Sequence, residues 1–141
     1  IRDPLQVIPS GLSLVTGVLD KKFNFWSLGS AIQRRFIKRL YKALVELMNR
    51  FHEDWTNGKI KKEKVLIVKF DFMMSDFENL MESILVFLEI EKNSDLAQSI
   101  KATAKDQRAF KSKHQYDLNR FGLTKKKIKS DCEKIYRTFL S

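Results

Sequence analysis

Apolar residues recur at three- and four-residue spacing from residue 31 to about residue 55. Ile32, Phe36, Leu40, Leu44, Leu47, Phe51 and Trp55 follow that period, with Arg34, Arg35, Lys38, Arg39 and Lys42 clustered elsewhere. Such a pattern predicts an amphipathic helix, ended by the turn dipeptide Asn57-Gly58. Before it, residues 5–19 are mostly apolar but interrupted by Pro9, Ser10 and Gly11, which predicts a helix that is kinked or starts late. Residues 21–30 mix Asn24, Gly29 and Ser30 with Phe23, Phe25 and Trp26. They predict a loop whose aromatics pack down; a substrate-facing aromatic wall is the sharper alternative.

Further on the period changes. Val65-Leu66-Ile67-Val68 is a short, non-alternating, β-branched run, and predicts a strand buried on both faces of a parallel sheet, with Asp71 at its carboxyl end. Asp71 is given a capping or turn role. Ser75 and Glu78 form a capping-box pattern, opening a helix through Leu80, Met81, Ile84, Leu85 and Leu88. Met73, Met74 and Met81 suit core filling better than any ligand set. Asn93-Ser94-Asp95 starts another helix, to about residue 106. Thr124 caps a last one, with Ile128, Cys132, Ile135, Tyr136 and Phe139 on one side. Cys132 therefore predicts a buried packing residue. At the other end Ile1 has the look of a strand's last residue, and Asp3-Pro4 of a turn leading into a helix.

Composition bounds the class. With 141 residues, 43% of them hydrophobic and 11 Phe, the chain suits one globular domain or the larger part of one. No apolar run approaches the ~20 residues needed to cross a bilayer. One cysteine excludes an internal disulfide, and His52 and His114 lack paired-ligand spacing, so no metal site is expected. The formal charge of +10 is uneven: residues 1–100 hold 15 Lys/Arg against 13 Asp/Glu, residues 101–141 hold 12 against 4. A basic end suits a nucleic-acid surface, an anionic membrane surface or a mouth that attracts small polyanions. For Lys125-Lys126-Lys127, and for the basic face of residues 34–42, a solvated helix face is the ordinary reading.

Three stretches carry candidate chemistry. Arg2-Asp3-Pro4 is followed by an apolar run to Ser10, eight positions past the arginine; a guanidinium and a hydroxyl so placed suit a phosphate. Lys64 to Asp71 is followed by a helix and then Phe87-Leu88. The third stretch is His114-Gln115-Tyr116-Asp117-Leu118-Asn119-Arg120-Phe121-Gly122-Leu123-Thr124. In that order the three resemble segments of the sulfotransferases that use 3′-phosphoadenosine 5′-phosphosulfate (PAPS), of bacterial type: a 3′-phosphate-binding segment, a late strand and a run near the C-terminus. Arg108, Lys111 and Lys113 fall where several members close a basic loop over the nucleotide, although the Arg-Lys-Gly triplet of that loop is absent.

The resemblance implies an α/β fold, with the chain as the C-terminal, helix-rich part of a P-loop-like parallel-sheet sulfotransferase domain. It implies an enzyme that transfers a sulfuryl group from PAPS to a hydroxyl or amine acceptor, leaving adenosine 3′,5′-bisphosphate (PAP). Arg2, Ser10, Arg108, Lys111 and Lys113 are the implied cofactor-binding residues. No catalytic residue is assigned, because the family's base and phosphate loop would precede Ile1, and the 141 residues alone are expected to be inactive. Implied partners are a small-molecule, carbohydrate or lipid acceptor; no nucleic acid is expected, and the location is cytoplasmic. The alternative is a basic helical nucleic-acid- or partner-binding module without catalysis.

Overall fold

A computed structural model describes residues 1–109 and 117–141. The elements run α1 (Pro4–Phe23), a 3₁₀ turn (Phe25–Ser27), α2 (Ser30–Thr56), a 3₁₀ turn (Lys62–Lys64), α3 (Phe70–Ser75), α4 (Phe77–Phe87) and α5 (Ser94–Ala109). A 3₁₀ turn (Asn119–Phe121), α6 (Lys125–Asp131), α7 (Glu133–Ile135) and a π-helical stretch (Tyr136–Leu140) complete the chain. No strand occurs among the described residues. The chain divides into two units: residues 1–2 with 61–114, and residues 3–60 with 115–141.

In the unit that holds α1 and α2, local chemistry sets the first helix. Asp3 Oδ1 accepts the Leu5 N–H at 2.8 Å, and Pro4 occupies the first helical position, where its missing N–H costs nothing. The helix begins at Pro4 and continues past Pro9, so of the expected kink or late start, the late start is not found. It ends at Asn24, which adopts the left-handed conformation. Ile8 and Leu12 are fully buried, and the Thr16 hydroxyl donates back to the Leu12 carbonyl at 2.7 Å.

Packing against α2 is close at Gly11, where a Cβ would lie 3.1 Å from Leu44 Cδ1. The long helix predicted from periodicity is present as α2, with one residue more at each end than the pattern gave. Its burial is less complete than the pattern implied: Leu47 is 69% exposed and Ile32 57%.

The C-terminal elements close the core. Thr124 caps α6 as expected, its hydroxyl oxygen accepting the Lys127 N–H at 3.2 Å. Ile128, Cys132, Ile135 and Phe139 are all buried, so the predicted apolar side exists. It is built from α6, α7 and the π-helical stretch, because the backbone departs from helix at Cys132. The Tyr136 hydroxyl donates to Asp3 Oδ1 at 2.5 Å, tying the last turns to the carboxylate that caps α1. Burial, and secondarily the Asp131 charge, push the Cys132 thiol up to about 11. At neutral pH its thiolate fraction is then about two orders of magnitude below that of a free cysteine. A disulfide-exchange reagent is expected to label Cys132 at least that much more slowly in the native chain than in denaturant. Equal rates would place the thiol at the surface.

In the other unit α3, α4 and α5 pack on one another around Leu80, Leu85, Ile100 and Ala104. The N-cap of α4 is Asp76 rather than Ser75: its Oδ1 accepts the Asn79 N–H at 3.3 Å, and Ser75 closes α3. Asn93 Oδ1 caps α5 through the Leu96 N–H at 2.9 Å, where the Asn-Ser-Asp signal placed a helix start.

The expected α/β fold is overturned. Val65 is extended, but residues 65–68 belong to no strand. Ile1 accepts the Phe70 N–H at 2.7 Å and its amino group bonds the Val68 carbonyl. Contact with one residue is not a ladder, and an apolar run without paired neighbours does not make a sheet. Asp71, placed at a strand end by the sequence reading, lies exposed in the first turn of α3.

Candidate functional site

An open concavity belongs to the α1–α2 unit, whose described residues carry 16 Lys and Arg against 8 Asp and Glu; those of the other unit carry 9 against 9. Arg34, Lys38 and Tyr41 lie four and three residues apart, which puts them on one face of α2. Facing them is the turn Asn119–Phe121, closed by the Asn119 carbonyl accepting the Gly122 N–H at 2.9 Å, with Gly122 at φ +65°. Glycine reaches that backbone region without a Cβ clash, so the chain can reverse there and lead into the Thr124 cap. Between α2 and this turn lies an open cleft of about 550 Å³. Ile37, Tyr41, Phe121 and Leu123 form a buried floor. Arg34, Lys38, Arg120 and Lys127 form the rim, and no Asp or Glu is among the lining residues.

Each rim cation is differently held. The Arg120 guanidinium stacks on the Trp26 ring, 4.0 Å from its centroid, and Trp26 in turn packs against Phe121. That fixes a planar cation at the mouth while leaving its edge open to an anion. Lys127 Nζ lies 2.9 Å from Asp131 Oδ2, which also accepts the Tyr41 hydroxyl at 2.7 Å. Those two hydrogen bonds, Tyr41's first, hold the Asp131 carboxyl below the usual carboxylate range, and burial followed by the Asp131 bond pushes the Tyr41 hydroxyl up. The network braces α6 against α2 and offsets part of Lys127's charge. Arg34 and Lys38 are exposed and make no ion pair with a described carboxylate. With Arg120 they give the cleft its net field.

The residues singled out from sequence fall elsewhere. Arg2 lies in the α3–α5 unit, its guanidinium 4.1 Å from the Phe70 ring centroid. Arg108, at the end of α5, pairs with Glu78 at 3.3 Å. Ser10 is half-buried on α1 in the other unit. Lys111 and Lys113 lie outside the described residues. His52 is buried against Phe139, with Nε2 3.0 Å from Thr138 Oγ1, a packing position.

The PAPS and PAP assignment is overturned with the fold that implied it. The nucleotide-binding sheet is missing from the described residues, and no group of three or more His, Cys, Asp and Glu among them is placed to hold a metal ion. The sulfotransferase activity inferred from resemblance therefore has no catalytic sheet behind it here. No helix among the described residues is long and apolar enough to cross a membrane.

Sequence reasoning missed the cleft because its two walls are about 80 residues apart. Arg34 and Lys38 were visible as part of a basic face, and Arg120 stood inside a quoted motif. The signal available was the spacing of Arg34, Lys38 and Tyr41, a charged pair adjoining an aromatic on one helix face. No family model, no curated protein and no solved structure matches the chain.

Proposed function

We propose that this chain is a basic helical binding module whose cleft takes the phosphodiester backbone of a nucleic acid. The carrying observation is the exposed Arg34–Lys38 pair set across the cleft from Arg120 and from Lys127, whose charge Asp131 partly offsets. Residues 21–45 contain seven Lys and Arg and no Asp or Glu, so the field extends well beyond the cleft along α2. Spaced, solvent-facing cations suit a chain of phosphates, which releases its condensed counterions on contact. The floor residues Tyr41 and Phe121 are buried, so neither offers a free face for base stacking. Recognition therefore rests on the backbone, with little sequence preference.

The test is the salt dependence of binding to a mixed-sequence DNA duplex. Arg34, Lys38 and Arg120, with Lys127 partly offset by Asp131, predict a slope of log Kobs against log salt of about −3. A slope near zero, or saturable binding to an acidic protein with none to the duplex, overturns the reading.

A further inference from the structure

A second surface, away from the cleft, combines charge with exposed apolar side chains. Helices α1 and α2 meet at Gly11 and Leu44 and are joined by six residues, 24–29, which makes them an antiparallel hairpin. Phe23 ends α1, Leu28 lies in the connection and Ile32 in the first turn of α2, so all three sit at the hairpin's tip. That tip is about 18–21 Å along the helices from the Gly11–Leu44 contact. Phe23 is 66% exposed, Ile32 57% and Leu28 39%.

The connection that presents them is well braced. Phe25 is buried beneath it, Asp20 Oδ1 accepts the Trp26 N–H at 3.0 Å, and Gln33 Nε2 donates to the carbonyls of Trp26 and Leu28. Beside the apolar residues stand Lys21, Lys22 and Arg35, all exposed. The nearest carboxylate in sequence, Asp20, is the one engaged by the Trp26 amide. On α2, Ile32 lies about 120–160° around the axis from Arg34 and Lys38, so the apolar tip faces away from the cleft, and Arg35 stands between the two faces, about 60–100° from that edge.

We infer that the hairpin tip docks on an anionic lipid bilayer, with Phe23, Leu28 and Ile32 entering the interface and Lys21, Lys22 and Arg35 meeting the headgroups. Charge complementarity selects this occupant. A nucleic acid would use the cations and leave the apolar tip in water, whereas a bilayer surface uses both, and peripheral binding needs two such signals. Lysine stems lie along apolar surface while their ammonium groups stay at headgroup level. Another apolar patch, Val86 to Ile90 at the end of α4, makes the contrast. Glu89 and Glu91 flank it and Glu82 is paired with Lys92, so it lacks the basic excess of the hairpin tip.

Co-sedimentation of the full chain with vesicles tests the assignment. Phosphatidylcholine vesicles containing phosphatidylserine should retain the protein, and pure phosphatidylcholine should retain far less. Phe23→Ser should lower partitioning about tenfold, and Lys21→Ala with Lys22→Ala roughly thirtyfold. Phe23 is exposed, so its replacement leaves the fold intact, and duplex binding by the cleft should not change. Failure to bind serine-containing vesicles overturns the proposal. So does binding that Phe23→Ser leaves unaltered, which would reduce the effect to adsorption of a polycation. Either result leaves the nucleic-acid reading standing on its own salt slope.

Discussion

Arg34→Glu combined with Lys38→Glu lowers affinity for duplex DNA by about two orders of magnitude and flattens the salt slope by about 2. The pair is exposed, one helical turn apart and without an ion-pair partner among the described carboxylates, so reversal removes two phosphate contacts and places two repulsive charges at the rim. Exposed substitutions of this kind leave stability within about 0.5 kcal/mol, which keeps the loss attributable to binding. Lys134→Glu, exposed and outside the cleft, is the control for net charge. It should weaken binding less than about threefold, through long-range field alone. Fluorescence anisotropy with a labelled duplex at several salt concentrations measures both quantities. If Lys134→Glu, which reverses one charge, costs half the log affinity lost by the double variant, which reverses two, the cleft has no special role and the basic charge acts as a diffuse whole.

Ile128→Ala destabilises the α1–α2 unit by about 2–5 kcal/mol. Ile128 has no exposed surface and sits where α6 packs on α1. Truncation removes three carbons from a site whose neighbours, on two braced helices, relax only partly, so the transfer and cavity terms add. Leu12→Ala, equally buried on α1, should cost a similar amount. Leu14→Ala, on the same helix but 71% exposed, should cost under about 1 kcal/mol. Trp26 and Trp55 both belong to this unit, so tryptophan fluorescence during urea unfolding reports on it selectively. A loss below about 1 kcal/mol for both buried variants would mean that α6 does not pack on α1 as described.

These two predictions differ in how far the sequence alone could have reached them. Ile128 and Cys132 were legible as a buried side, because a capped helix start and a 3.6-residue period are local facts. Periodicity also placed α2 to within one residue at each end, and the Asn93 cap signalled the start of α5. The capping box at Ser75 was one residue out. Asp76 offers a carboxylate that binds the Asn79 N–H, and Ser75 was already committed to the end of α3. Pro9 misled in the other direction. Pro9 is the sixth residue of the helix, where it removes the bond to the Leu5 carbonyl and crowds it, yet burial of Ile8, Leu12 and Thr16 holds α1 helical to Phe23.

Larger errors arose where a local pattern was given a tertiary meaning. Val65-Leu66-Ile67-Val68 has strand chemistry, but a strand exists only when neighbours supply a ladder, and four apolar residues do not reveal whether they do. The Arg2–Ser10 pair was read as one phosphate site because Ile1 looked like a strand end and the segment resembled a 3′-phosphate-binding one, and no strand occurs at Ile1. The structure instead assigns the two residues to different units, and stacks Arg2 on Phe70.

By itself the sequence determined helices α1, α2, α4, α5 and α6, the caps at Asn93 and Thr124, the burial of Cys132 and the concentration of basic residues on α2 and near the C-terminus. Each of these depends on neighbours within a few positions, where backbone geometry leaves little choice. Only the tertiary structure decided that residues 65–68 form no sheet, that Arg34 and Lys38 face Arg120 and Lys127 across one cleft, and that Phe23 and Ile32 stay in solvent. Those outcomes depend on which distant surfaces meet. Side-chain packing between elements selects them, and no period along the chain encodes it.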